Sequence, residues 1–201
     1  MNIFEQLETP KLLLRTLATT DAPALQVLLA SNKEHMMPWV PFLAEKEPET
    51  VLQKKETIRL WKSEFYADKS YRYGIFSKET KQLVGICFLF TRQGKGILEI
   101  GYIVSKEASG KGYATQLSYA LAKLSFQELD AEKIVIVCSE GNIASAKVPK
   151  KLGFHLESTY KEVIKKADGS REKTMRWAIY KEEFQELNRY EPVHFQKAVG
   201  W

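Results

Sequence analysis

Residues 109–115 read Ser-Gly-Lys-Gly-Tyr-Ala-Thr and join an apolar run over residues 96–105 to a helical pattern over residues 112–128. A strand that passes through a Gly-x-Gly turn into a helix constrains the chain more than any other segment. Such a turn can bring successive backbone N–H groups to one concave spot, with the partial positive charge of the helix start behind them. Three anion-binding loops compete for the sequence. A nucleotide P-loop requires glycine, four residues and then Gly-Lys-Ser/Thr. Here Lys111 is followed by Gly112, and no glycine stands at the earlier position. A dinucleotide fingerprint requires Gly-x-Gly-x-x-Gly, and Thr115 occupies the third glycine's place. The third form is a Gly-x-Gly-x-Ala turn whose amides over residues 110–115 converge on a pyrophosphate. On this stretch alone, an ordinary glycine-rich helix start is the alternative.

The patterns around the turn give a mixed order. Residues 9–18 read as a first strand with Leu12 and Leu14 on one face, and Thr20 or Asp21 can cap a helix with Pro23 in its first turn. Two prolines around Trp39 break that helix, and a second helical pattern over residues 49–65 carries Ile58 and Trp61. Residues 71–77, 83–91 and 96–105 read as three strands, and Gly101 within the third predicts a bulge or a close approach to the backbone. Leu117, Ala120, Leu121 and Leu124 give the helix after the turn a buried face. Lys133 to Cys138 form a short apolar strand, and residues 141–154 a short helix that Gly153 ends and Pro149 interrupts. Two further strands face each other across an Asp-Gly turn at 167–170, and one more helical turn follows. The sum is an α/β (α+β) chain with about seven strands in a mixed, mostly antiparallel sheet. It reads as one domain over residues 1–201, with a core at 8–185 and an aromatic tail at 188–201.

Composition excludes several classes. No run is long and apolar enough to cross a membrane, and the N-terminus lacks the pattern of a signal peptide, so a cytoplasmic protein is expected. Cys87 and Cys138 each sit in an apolar run and read as reduced core thiols. The three histidines pair with nothing at a metal spacing, so no metal is expected. A net charge of +5 suits an anionic cofactor, and without a dense basic block no direct nucleic-acid binding is expected.

Two motifs in order carry a family resemblance. The turn resembles the acetyl-CoA turn of the GNAT N-acyltransferase superfamily, Gln/Arg-x-x-Gly-x-Gly/Ala, with Gly112 and Ala114 in its last two places and Ser109 where Gln or Arg is usual. The later helix resembles the family's Asn-x-x-Ser-x-x-Val-x-x-Lys-Leu-Gly-Phe, matching at Asn142, Ser145, Val148, Lys151, Leu152, Gly153 and Phe154. Residues 98–115 and the Pro-Trp segment at 36–42 are similar to the RimJ/RimL branch, which acetylates ribosomal-protein N-termini. The resemblance implies that the strands at 98–104 and 133–138, the fourth and fifth of the predicted sheet, splay apart. A pantetheine arm would lie in the gap against the backbone near Ile100, Tyr102, Ile103 and Val104. Ser109, Gly110, Lys111, Gly112, Tyr113, Ala114 and Thr115 would then face the phosphates of acetyl-CoA, with Asn142 and Ser145 on the other wall.

Acetyl transfer to an amine needs a neutral amine, a stabilised carbonyl oxygen and a proton for the departing thiolate. By the resemblance Glu99 is the candidate base, Ser145 the candidate acid and Tyr102 a second candidate acid. As residues alone they read equally as a solvated carboxylate, a helix-start hydroxyl and a packed aromatic. Trp39 and Trp61 are candidates to wall the acceptor site, and Phe88, Leu98 and Ile100 to shape the acyl pocket; the histidines read as incidental. The expected acceptor is a protein N-terminal amine, the first alternative a small amine such as an aminoglycoside or polyamine. A non-catalytic acyl-CoA-binding module is a further alternative, and a homodimer is left open.

Overall fold

In the computed structural model, residues 4–40, 49–91, 93–165, 171–185 and 193–197 are described. Nine strands form one sheet: β1 (Phe4–Glu8), β2 (Leu12–Arg15), β3 (Ser70–Ser77), β4 (Leu83–Phe90), β5 (Ile97–Val104), β6 (Lys133–Ser139), β7 (His155–Lys165), β8 (Arg171–Tyr180) and β9 (His194–Lys197). Their order across the sheet is β7-β8-β6-β5-β4-β3-β2-β1-β9. The expected count of about seven therefore falls short by β1 and β9, which pair with each other at one edge. The Asp-Gly turn between β7 and β8, and most of the aromatic tail, lie outside the described residues.

The helices are α1 (Ala22–Ser31), α2 (Lys33–Met36), α3 (Val51–Tyr66), α4 (Tyr113–Glu128), α5 (Ile143–Lys151) and α6 (Lys181–Gln185). Side chains alternate between the two faces of a strand, and two cores follow from that alternation. Cys87, Leu89, Ile100, Ile134 and Ile136 point to the side where Leu117, Ala120, Leu121 and Leu124 of α4 are buried. Phe76, Ile86 and Ile103 point the other way, onto Ala22, Leu25, Leu28, Met36 and Ile58 of α1, α2 and α3. Lys133 to Cys138 carry buried residues on both faces, as a strand in mid-sheet must. Asp21 precedes α1 but does not cap it. Its carboxylate accepts from the Ala18 N–H at 2.7 Å and from Arg15 at 2.7 and 2.8 Å, tying β2 to the turn before the helix.

Candidate active site

The site begins where the sheet stops being continuous. β5 stays paired with β4 as far as Gly85↔Val104, and β6 stays paired with β8 as far as Ser139↔Thr174. Between β5 and β6 the parallel pairing runs only from Ile97↔Lys133 to Ile100↔Ile136. The two strands part after that pair, which is the splay that the resemblance implied. The bulge expected at Gly101 is absent, because its register with Phe88 is unbroken. The close approach comes from aromatic rings. A Cβ on Gly101 would lie 3.2 Å from Phe90 and 3.4 Å from Phe88, and those two rings stack at 5.4 Å.

A cavity of about 440 Å³ opens at the splay. Tyr102, Ile103 and Val104 of β5 line it, with Ser109, Gly110, Gly112, Tyr113, Ala114 and Thr115 from the turn and the start of α4. Asn142 and Ser145 line it from α5, joined by Lys147 and Lys151. Gly110 and Gly112 both adopt φ +79°, where a Cβ would meet nothing within 4 Å, so backbone conformation rather than crowding calls for glycine. Left-handed residues in a turn curl N–H groups toward one side. Thr50 caps α3 and Asn142 caps α5 through their side chains, whereas α4 starts without a side-chain cap. The start of α4 lines the cavity and its first turn has no side-chain cap, so the residues present fit a pyrophosphate. The hydroxyl of Ser109 donates to the Ser105 carbonyl at 2.9 Å and braces the loop. Tyr113 is buried, its hydroxyl 3.4 Å from that of Ser77.

On the far wall the Asn142 side chain accepts from the Ser145 N–H at 3.0 Å, which fixes the first turn of α5. The Tyr102 hydroxyl lies 3.0 Å from Ser145 Oγ and donates to the Ser145 carbonyl at 3.3 Å. Pro149 makes that second bond available. It stands four residues after Ser145, where its missing N–H would otherwise have closed the helical hydrogen bond. Burial pushes the Tyr102 phenol up, the bond to Ser145 opposes part of that shift and Cys138 adds to it, so the hydroxyl keeps its proton at neutral pH.

Other expected residues fall elsewhere. Glu99 is buried, 5% exposed, and does not line the cavity. By strand alternation it shares the α1–α3 face of β5 with Gly101 and Ile103, opposite Tyr102. It lies one residue before the last β5–β6 pair, at the apex of the splay, and the Gln93 side-chain amide donates to it. Ile100 still pairs with Ile136, so the part of β5 facing the gap begins after it. Leu98 and Ile100 pack in the α4 core, not around the cavity. Lys111 is exposed and outside the lining. Trp39 lines the cavity, but Trp61 does not. It borders a separate crevice with Ile58 and Phe65, its ring 5.4 Å from the Arg72 guanidinium carbon. His35, Met36 and Val40 line the cavity although only Trp39 was expected from that segment. Their common signal is position: all sit within five residues of Trp39.

The acetyltransferase (GNAT) domain family matches residues 11–155. The uncharacterized N-acetyltransferase p20 of Bacillus licheniformis is 27% identical over 182 residues, 90% of this chain and 98% of that protein. The crystal structure of a probable acetyltransferase superposes with a TM-score of 0.79 at 25% identity, covering 87% of this chain and 96% of the other. RimL, a ribosomal L7/L12 alpha-N-protein acetyltransferase in complex with coenzyme A, shares the fold with a TM-score of 0.77 at 20% identity, covering 90% and 98%. The family match runs from β2 to the start of β7 and so takes in both walls of the cleft: the chain belongs to the GNAT acetyltransferase family.

Proposed function

We propose that this chain transfers an acetyl group from acetyl-CoA to a primary amine, the α-amine of a protein N-terminus. The observation that carries the reading is the division of groups about the splay. A buried carboxylate, Glu99, stands at its apex on one face of the sheet, and a hydrogen-bonded hydroxyl pair, Tyr102 and Ser145, stands on the other. A base and an acid separated by a gap suit a reaction in which a proton leaves the nucleophile on one side and another reaches the leaving group on the other.

Bound acetyl-CoA would supply the acetyl group and a thiolate leaving group. The amides of residues 110–115 and the start of α4 hold its phosphates, and the open stretch of β5 from Tyr102 to Val104 holds its pantetheine. A β5 backbone N–H polarises the reacting carbonyl. Glu99 takes the amine proton, directly or through water. An α-amine has a pKa of about 8, so roughly a tenth is already neutral at pH 7, and a modest base suffices. Ser145 Oγ gives a proton toward the thiolate side, and the Tyr102 O–H turns from the Ser145 carbonyl to Ser145 Oγ to replace it. The protein acceptor is supported by the shared fold with RimL, a ribosomal-protein acetyltransferase.

Thiol release from acetyl-CoA, measured against a panel of N-terminal peptides, aminoglycosides and polyamines, tests the reading. Release with peptides that Glu99→Gln weakens about 10²-fold or more supports it. Release with small amines alone replaces the acceptor, and tight acetyl-CoA binding with no release on any acceptor favours a binding module.

A further inference from the structure

Glu99 is a carboxylate 5% exposed in mid-sheet, and a buried charge requires donors. One is the side-chain amide of Gln93, in the turn between β4 and β5, which donates Nε2–H to Glu99 Oε2. The other end of that amide, Oε1, accepts from Arg176 of β8 at 2.7 Å. A guanidinium only donates, so only one orientation of the Gln93 amide satisfies both neighbours: Oε1 toward Arg176 and Nε2 toward Glu99. Arg176 is held in turn. Its Nε donates to Glu157 Oε2 of β7 at 2.7 Å, and Lys133 of β6 donates to the other oxygen of Glu157. The Arg176 and Lys133 side chains are each 12% exposed, and that of Glu157, which joins them at the outer end of the row, is 29% exposed.

We propose that Gln93 and Arg176 are positioning residues for Glu99, a proposal that rests on Glu99 receiving the amine proton. Arg176 locks the amide of Gln93, and Gln93 fixes one oxygen of the carboxylate, which restrains the rotation of the whole group.

The test is a cycle of variants in the full chain, read by steady-state thiol release and by calorimetric acetyl-CoA binding. Gln93→Leu and Arg176→Met are each expected to lower kcat about 10-fold or more, bounded by the roughly 10²–10⁴-fold that a whole base contributes, with the acetyl-CoA Kd unchanged. In a Glu99→Gln background Gln93→Leu should cost nothing further, because the group it positions is gone. An equal loss in both backgrounds, a loss accompanied by weakened acetyl-CoA binding, or wild-type kcat in Gln93→Leu would overturn the proposal. Wild-type activity of Glu99→Gln itself would instead overturn the assignment of the base, and the positioning role with it.

Discussion

Gly112 offers the sharpest quantitative test of the phosphate turn. Its φ of +79° costs an L-residue about 1–2 kcal/mol, while the space around it would accept a Cβ without collision. Gly112→Ala is therefore a change of backbone energy alone. If the variant loop keeps its conformation without ligand, the whole penalty appears as lost stability and the acetyl-CoA Kd is unchanged. If the loop relaxes when free, stability is spared and the penalty appears in binding, where about 1–2 kcal/mol corresponds to roughly 5–30-fold in Kd. The sum of the two losses is fixed near the strain energy. Because Gly110, Lys111 and Gly112 are all exposed and α4 has no side-chain cap, the larger share is expected in binding. Chemical denaturation with and without acetyl-CoA, together with titration calorimetry, measures both shares. Gly94→Ala is the control: φ there is +106°, again with nothing within 4 Å, but outside the cavity lining. It should lose stability and leave Kd alone. A Gly112→Ala protein that loses less than about 0.5 kcal/mol in total, or a Gly94→Ala protein that loses acetyl-CoA affinity equally, would refute the reasoning.

Tyr102→Phe removes the hydroxyl that bridges Ser145 Oγ and the Ser145 carbonyl; kcat should fall while the acetyl-CoA Kd stays within about twofold, and an unchanged kcat would exclude Tyr102 from the proton path. Leu121→Ala empties a fully buried position in α4 and should cost about 2–5 kcal/mol by urea denaturation. Burial works to raise the Asp21 carboxyl, but its bonds to Arg15 and the Ala18 N–H and the Arg15 charge outweigh it and hold the carboxyl below the usual range. Its folded-state value is the lower one, so its contribution is complete above about pH 4 and is lost as pH falls through the folded value. Asp21→Asn should therefore be less stable at neutral pH and show a shallower loss as pH falls below about 4; parallel curves would exclude the effect.

The two motifs were legible because each specifies local backbone. Gly110 and Gly112 take conformations that glycine alone adopts freely, and Asn142 caps the helix it opens. The 3.6-residue period picked out Leu117, Ala120, Leu121 and Leu124 of α4, but Ser118, Tyr119 and Ala122 between them are buried as well, so the helix is covered on more than the one face the pattern marked. β1 was missed because only Phe4 and Leu7 of Phe4–Glu8 are buried, a spacing of three that no strand alternation predicts. β9 has no buried residue at all, and only its pairing with β1 makes it a strand. Trp61 shows a different limit: periodicity placed it on the inward face of α3 but could not say which cavity that face borders. Nor could spacing predict that Gln93 and Arg176, 83 residues apart, would meet beside Glu99.

The pairing of β9 with β1 has a practical side. A chain shortened before His194 would leave β1 as a bare sheet edge, and unprotected edges recruit strands from other molecules. The strand itself lies five strand spacings from β5, roughly 24 Å across the sheet, so a fluorophore or surface tether on β9 is held away from the cleft. Immobilisation through β9 should therefore leave the cleft open to its substrates.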